Sequence, residues 1–219
     1  MTKPFIHLRA RSAYSLLQSA IQVKGLTKLA AKFEMPALAL TDANNLYGAL
    51  EFSEAAAEAG VQPIVGLALD TRDESGIAGS LALYAQNATG YANLMLLSSA
   101  AFLENAAVDE PHVPFARILQ HAEGLIAFTG GGDGAFTALL TEGKGDIVDA
   151  AVRQLAAAFP NRLYIELQRH RERSEVDTEA ALVEIAYQHS LPLVATNDIR
   201  FEKKTDHAPH DALMCIAAS

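Results

Sequence analysis

The stretch ALALTDANNLYGALEFSEAAAEAGVQPIVGLALD, residues 37–70, decides the fold. It opens with a short apolar run, Ala37–Leu40, continues through an Ala-rich segment of helical period, Tyr47–Ala59, and ends in a second apolar run, Gln62–Asp70. A strand, a helix and another strand in this order are typical of two parallel strands joined by a helical crossover. This stretch therefore predicts an α/β fold.

The same alternation extends over most of the chain. Further strands are predicted at Phe5–Leu8, Ser80–Tyr84, Leu125–Phe128, Leu163–Leu167 and Leu193–Thr196, and further helices at Val23–Phe33, Tyr91–Leu103, Ile147–Phe159 and Thr178–His189. Repeated alternation favours parallel strands covered by helices, in either a closed barrel or a doubly wound sheet. In both architectures the functional site lies where the carboxyl ends of the strands meet the following loops.

Net charge and chain length limit the functions and the number of domains that the chain could have. The 219 residues include 17 Lys and Arg against 26 Asp and Glu, so the formal net charge is −9. An acidic surface repels phosphate backbones, and we do not expect this chain to hold DNA by itself. The length suits a single α/β domain.

The chain has one cysteine, Cys215, so an internal disulfide cannot form. We expect Cys215 to be a small buried hydrophobe. No apolar stretch is long enough to form a signal peptide or a membrane span. The sequence therefore predicts a cytoplasmic chain without a membrane partner.

Polar residues cluster where five of the predicted strands end. The clusters are His-Leu-Arg-Ala-Arg at 7–11, Thr-Asp-Ala-Asn-Asn at 41–45, Thr-Gly-Gly at 129–131, Gln-Arg-His at 168–170 and Thr-Asn-Asp-Ile-Arg at 196–200. Because strand ends of one sheet meet at the same edge, we expect these clusters to line one shared opening of the fold, which we call the mouth. They do not name a reaction by themselves.

Six motifs carry a family resemblance. They are FIHLRARSAYSLL at 5–17, TDANNLYGA at 41–49, GVQPIVG at 60–66, NATGYANLMLLS at 87–98, ATNDIR at 195–200 and HDALMCI at 210–216. In this order they resemble the PHP (polymerase and histidinol phosphatase) domain at the N-terminus of bacterial DNA polymerase III α subunits. The resemblance implies a distorted (β/α)7 barrel. It also implies that residues 1–219 form a single PHP domain, cut from a longer chain whose palm, fingers and thumb follow Ser219.

The resemblance also shows where this chain departs from the metal-binding PHP enzymes. Those enzymes hold clustered metal ions with imidazoles and carboxylates and hydrolyse phosphoesters. At the matching positions this sequence has residues with no lone pair suited to a metal, or with a weaker one: Arg9, Arg11, Gln18, Ala43, Ala68, Gly131 and Arg200. The potential ligands that remain are Asp42, His170 and Asp198, with His7 just upstream. We therefore expect no catalytic residue and no metal ligand.

A remnant pocket is the expectation in place of a metal centre. It would comprise His7, Arg9, Arg11, Asp42, His170, Asp198 and Arg200. The arginines would supply the positive charge that metals supplied, pairing with Asp42 and Asp198, because unpaired buried carboxylates are costly. The pocket would be a structural ion-pair network or would bind phosphate or sulfate. Considered by itself, His7 is more typical of a hydrogen-bonded histidine at the end of a strand. Asp42, considered by itself, is typical of a residue that caps a turn.

The resemblance implies a function for the longer chain. The full α subunit would synthesise DNA on a template, with Mg²⁺ as its metal, whereas this segment would need no cofactor and have no activity of its own. Its role would be to stabilise the rest of the α chain and to dock the proofreading exonuclease subunit, with DNA bound only through the full polymerase. Three alternatives stay open: a residual metal-dependent phosphoesterase or 3′–5′ exonuclease, a stand-alone small-molecule phosphatase, and the same domain of an error-prone polymerase paralogue.

Overall fold

The fold is mixed α/β. The computed structural model describes residues 5–74, 76–106 and 110–217. Its strands are β1 (Ala37–Ala43), β2 (Gln62–Arg72), β3 (Ala78–Ala85), β4 (Leu125–Phe128), β5 (Leu163–Leu167) and β6 (Leu193–Ala195). Its helices are α1 (Val23–Lys32), α2 (Ala49–Glu58), α3 (Ala88–Leu103), α4 (Phe115–Gln120), α5 (Ala135–Thr141), α6 (Gly145–Ala158), α7 (Arg173–Gln188) and α8 (His207–Ala217).

The six strands form one sheet in chain order, β1 to β6. β1 and β2 are parallel, as are β4, β5 and β6. The prediction that all strands are parallel is wrong for β3, which is antiparallel to both of its neighbours. Only residues 73–77 separate β2 from β3, and a link this short permits a hairpin but not the crossover that parallel strands require.

The segment 7–11 joins the two edges of the sheet. Towards β1, Ala39 N–H donates to His7 O at 2.9 Å and Thr41 N–H donates to Ala10 O at 2.8 Å. Beyond β6, Ile199 N–H donates to Arg9 O at 3.2 Å and Arg11 N–H donates to Ile199 O at 3.0 Å. The sheet therefore curls into a distorted barrel, with residues 7–11, which we call the closing segment, in the place of a seventh strand.

The prediction of a strand at Phe5–Leu8 is wrong, because the structure has no strand there. Leu8 packs against the interior cluster, while the next residue, Arg9, also enters the interior to reach Glu166. Two consecutive inward side chains break the alternation that a regular strand requires. The pairing of the segment with its neighbours is consequently irregular.

Among the described residues, three apolar clusters hold the layers together. The largest lies between the outer face of β2–β5 and helices α3 to α7, and the second lies between β1, α1 and α2. The third fills the barrel interior, where Tyr84 and Phe128 stack with ring centroids 4.6 Å apart. The Tyr84 hydroxyl donates to Leu8 O at 2.8 Å, which satisfies the buried phenol and ties the closing segment to β3.

Helix α8 lies on the surface with no buried residue. The prediction that Cys215 is buried is therefore wrong, because its thiol is free and exposed. In the described part of the chain, no helix has the length and apolar character needed to cross a membrane.

Candidate functional site

Arg9 and Glu166 form a buried ion pair inside the barrel. Arg9 Nη1 lies 3.3 Å from Glu166 Oε2, and both side chains are almost completely shielded, with exposures of 1% and 0%. Burial alone lowers the pKa of Arg9, but the negative charges of Glu166 and Asp198 outweigh it and raise that pKa above its usual value. Arg9 is therefore a permanent buried cation, and it depends on its carboxylate partners.

The Glu166 carboxylate is also held by neutral donors. Oε2 accepts a hydrogen bond from Gly130 N–H at 3.0 Å, and Oε1 accepts from Gln168 Nε2 at 3.3 Å and from the Thr196 hydroxyl. The carboxylate thus spans the ends of β4, β5 and β6. A buried charge with this many donors is compensated for the loss of water.

A second ion-pair group lies nearer the surface, around Asp198. Arg11 Nε lies 3.2 Å from Asp198 Oδ1, and Arg200 Nη2 lies 2.6 Å from Asp198 Oδ2. Arg200 Nη2 also donates to Asp133 Oδ2 at 2.7 Å, and Gln18 accepts from Arg11 Nη1. Asp198 therefore bridges two arginines, and Asp133 extends the group to the turn after β4.

The stability of the fold is expected to fall in acid because of Asp198. Burial raises the pKa of this carboxyl, but Arg11, Arg9 and Arg200 outweigh it and lower the pKa to about 2 from a usual value of 3.8. The unfolded chain takes up this proton first as the pH falls. The contribution is therefore complete above pH 4, and about 2 kcal/mol of it is lost as the pH falls towards 2.

Urea denaturation between pH 2 and 5 measures this loss. Asp198→Asn should flatten the dependence of the unfolding free energy on pH in that window, and Asp177→Asn, at an exposed pair with Arg173, serves as the control. An unchanged slope in the Asp198 variant would contradict the assignment.

Asp42 does not join these arginines, which corrects the predicted pairing. Its Oδ1 accepts from Ser12 N–H at 2.7 Å and from the Ser15 hydroxyl at 2.6 Å, and its Oδ2 accepts from the Ser12 hydroxyl at 2.8 Å. The carboxylate therefore anchors the turn that follows the closing segment. Both oxygens of Asp42 are thus held by serines of this turn, and the arginines pair with Glu166 and Asp198 instead.

The two predicted histidines also lie away from the ion pairs. His7 borders a separate cavity of about 110 Å³ with Leu29, Phe33 and Phe201, because the break in alternation at Leu8 turns it outward. Burial lowers the pKa of His7.

His170 lies in the loop after β5 and is 37% exposed. Its ring Nδ1 is 2.7 Å from Glu175 Oε1 at the start of α7, and its backbone N–H donates to Glu175 Oε2 at 2.7 Å. His170 therefore fixes the approach to α7. The structure does not bring the predicted remnant pocket together as one group.

The donor set at the mouth does not fit a metal cluster. A cleft of about 500 Å³ opens there, and its lining includes the methyl groups of Ala43 and Ala68 beside Arg11 and Arg200. Metal ions need oxygen, nitrogen or sulfur lone pairs, which guanidinium and methyl groups lack. Among the described residues, no group of three or more His, Cys, Asp or Glu side chains could hold an ion.

The mouth is also less positive than its arginines suggest. Asp70, Glu110 and Asp133 line the cleft together with Arg11 and Arg200. Burial raises the pKa of Asp70, while a hydrogen bond from Asn44 opposes that shift. The cations are thus matched by carboxylates on the same surface, which disfavours strong binding of an anion.

Sequence reasoning missed Glu166 and Asp133. Glu166 is the one charged residue within the apolar strand Leu-Tyr-Ile-Glu-Leu, and an acid in a buried strand is rarely tolerated without a partner. That signal was available and indicates a buried cation nearby. Asp133 lies in a glycine-rich turn, where the sequence gives no indication of its partner.

Comparison with protein families decides the classification. Residues 7–170, which include the closing segment, β1 to β5 and the start of the loop after β5, match the PHP domain family. The chain belongs to the PHP family. The match covers well over half of the sequence and contains Arg9, Arg11, Asp42 and Glu166.

Curated relatives of this PHP chain are named DNA polymerase III subunit alpha. The protein from Caulobacter vibrioides is 47% identical over 97% of this chain, that from Rickettsia bellii 38% over 100%, and that from Pseudomonas aeruginosa 36% over 99%. In each case the match covers 19% of the relative. The chain is therefore similar to the N-terminal part of these polymerase subunits and spans about a fifth of their length.

Solved structures support the PHP fold. A proposed metal-dependent phosphoesterase from Bifidobacterium adolescentis superposes with a TM-score of 0.61 at 13% identity, covering 92% of this chain and 91% of the other. An amidohydrolase from Chromobacterium violaceum with bound sulfate and no metal gives a TM-score of 0.59 at 13% identity, covering 95% and 96%. At this identity the likeness concerns the fold alone.

Proposed function

We propose that this chain is a non-catalytic PHP scaffold within a DNA polymerase III α subunit, and that it stabilises the polymerase and docks the proofreading exonuclease subunit. The observation that carries the proposal is the ion pair of Arg9 with Glu166, together with Asp198 held between Arg11 and Arg200. These pairs occupy the end of the barrel where the resemblance places metal ligands. Guanidinium groups cannot hold the metal ions that activate water in metal-dependent phosphoester hydrolysis.

In this proposal, arginines replace the positive charge that metal ions would supply. When a metal site loses its ions, its carboxylates repel one another and remain uncompensated, which destabilises the fold. Here Glu166 and Asp198 are both paired with arginines, and Asp42 is satisfied by serines. The arrangement maintains the barrel without a cofactor, which suits a domain retained for its surfaces.

The remaining parts of the proposal concern the longer protein. The polymerase would carry out template-directed DNA synthesis in the cytoplasm with Mg²⁺ bound outside this chain, and the chain would be one domain of it. The net charge of −9 supports a scaffold that touches DNA only through the polymerase. An exonuclease docked on this domain would stay close to the site of synthesis.

One preparation tests the scaffold proposal. The purified chain is incubated with Mn²⁺ or Zn²⁺, desalted, and divided between elemental analysis, phosphoester hydrolysis assays and a pull-down with the cognate exonuclease subunit. We expect far less than one ion per chain, no hydrolysis of single-stranded DNA or p-nitrophenyl phosphate above the protein-free control, and retention of the exonuclease. Stoichiometric metal with metal-dependent hydrolysis would overturn the proposal, as would failure to retain the exonuclease.

A further inference from the structure

A cavity separate from the mouth lies between α1, the closing segment and the chain that follows β6. Its volume is about 110 Å³. Among the described side chains that line it, only His7 and Glu202 are polar. The apolar part of the lining includes Leu26, Leu29, Ala30, Phe33 and Phe201. The cavity therefore has the composition of a small-molecule site, which is mostly apolar with a few polar groups.

Hydrogen bonds fix the walls of this cavity. Ala39 N–H on β1 donates to His7 O at 2.9 Å, which holds the closing segment in place. The Ser19 hydroxyl donates to Arg200 O at 3.0 Å, which holds the chain after β6 against the turn that precedes α1. The cavity is therefore part of the fold, and a ligand would need little rearrangement to enter it.

His7 brings an unused hydrogen-bonding atom to this site. Its Nδ1 is buried and has no hydrogen-bond partner among the described residues. The ring lies edge-on to Phe5, with centroids 4.8 Å apart, and that contact supplies no hydrogen bond. A buried polar atom without a partner is uncommon, because it loses its bond to water and gains nothing in return. A ligand that bonds to Nδ1 would remove this cost.

Water is a poor occupant of this cavity. A buried water molecule typically makes two to four hydrogen bonds. The side chains of the lining offer it the His7 ring and the Glu202 carboxylate, and Glu202 is itself exposed to solvent. Apolar cavities of comparable size, about 150 Å³, stay dry and bind benzene. The walls therefore favour a small apolar ring over water.

The charges around the cavity disfavour an anion. Burial lowers the pKa of His7, so its ring is uncharged at pH 7. The Glu202 carboxylate packs so closely against Gly25 of α1 that a Cβ there would lie 2.6 Å from its Oε1. A negative charge at the edge of the cavity and a neutral imidazole give an anionic ligand no partner.

We propose that this cavity binds a small uncharged aromatic molecule carrying one hydroxyl group, and that the hydroxyl hydrogen-bonds to Nδ1 of His7. A hydroxyl both donates and accepts, so it serves either tautomer of the neutral imidazole. Phe33 and Phe201 supply aromatic walls against which the ring packs. This binding site is independent of the scaffold role, since it lies outside the mouth.

The test uses the full-length polymerase chain that carries this domain and three fluorinated probes of similar size. They are para-fluorophenol, fluorobenzene, which lacks the hydroxyl, and para-fluorobenzoate, which is an anion at pH 7. Binding is measured from the broadening of each probe's fluorine NMR signal as protein is added. We expect para-fluorophenol to bind about three- to tenfold more tightly than fluorobenzene, the ratio that one hydrogen bond typically gives. We expect para-fluorobenzoate to bind more weakly than either.

Two variants locate the binding at this cavity. His7→Phe keeps a ring but removes Nδ1, so it should lower the affinity for para-fluorophenol to that for fluorobenzene. Ala30→Leu fills space at a wall residue that is 2% exposed, so it should weaken both neutral probes at least about tenfold. His112→Phe is the matched control, because His112 Nδ1 already has a partner in Glu110 O at 2.8 Å. It should leave all three affinities unchanged.

Several results would overturn the inference. Equal affinity of the parent protein for para-fluorophenol and fluorobenzene would remove the role of the hydroxyl. A preference for para-fluorophenol that persists in His7→Phe, or tight binding that persists in Ala30→Leu, would place the probe elsewhere. Thermal unfolding shows which variants are folded, and either folded variant decides the location by itself. None of these results bears on metal content or exonuclease retention, so the scaffold proposal is tested separately.

Discussion

Replacing Arg9 by methionine is expected to lower the free energy of unfolding by about 3–5 kcal/mol, the usual cost of removing one partner of a buried ion pair. The reason is Glu166, which has no exposed surface and would lose the guanidinium 3.3 Å away, its only ion-pair partner among the described residues. Methionine fills similar space along the side-chain stem, so the effect reports the lost charge more than a cavity. Urea denaturation at pH 7 measures it.

A matched control separates this effect from that of losing any arginine. Arg72 pairs with Glu110 at 3.1 Å, but the two side chains are 55% and 85% exposed. Arg72→Met should therefore cost less than about 1 kcal/mol. Adding Glu166→Gln to Arg9→Met should recover at least half of the lost stability, because the uncompensated charge is gone. If Arg9→Met cost no more than Arg72→Met, the interior pair would contribute no more than a surface ion pair.

The second large effect is expected at Gly130, where alanine should destabilise the fold by about 2–6 kcal/mol. Gly130 has φ of +99°, a region that costs other residues about 1–3 kcal/mol. An added Cβ would also lie 1.9 Å from Ser80 O, and relieving such overpacking costs about 1–3 kcal/mol more. The shift would displace the Gly130 N–H that donates to Glu166.

Gly143 provides the comparison for this variant. It has φ of +73°, but an added Cβ there would meet no atom within 4 Å. Gly143→Ala should therefore show only the conformational cost, about 1 kcal/mol. Thermal unfolding of both variants separates backbone conformation from steric contact, and equal losses would contradict the close approach of Gly130 to β3.

The sequence predicted the regular elements well where they are long enough to show a period. The bounds of β4 and β5 agree with the prediction, and α1, α2, α3 and α6 agree within a few residues. The short helices α4 and α5 were missed because six or seven residues make fewer than two turns, too few to show a period. The orientation of β3 depends on the length of the link between β2 and β3. Hydrophobic periodicity within a strand carries no information about that length.

The site was predictable only in part. Arg200 and Asp198 are two residues apart, so their contact follows from local sequence, and Arg11 reaches the same carboxylate across the closed barrel. Asp42 and His7 were misplaced because their positions depend on a turn and on a break in alternation. Glu166, 157 residues from Arg9, could be linked to it only by asking what neutralises an acid in a buried strand.

Closure by the segment 7–11 has a consequence for the order of synthesis. This segment leaves the ribosome well before its partner beyond β6, since Arg11 and Asp198 are separated by 187 residues. At about 5–20 residues per second, the wait is roughly 10–40 s. Arg9 has no partner from β5 for most of that interval, because Glu166 follows it by 157 residues. Because the guanidinium keeps its positive charge, we expect it to favour hydration of this segment until the barrel can close.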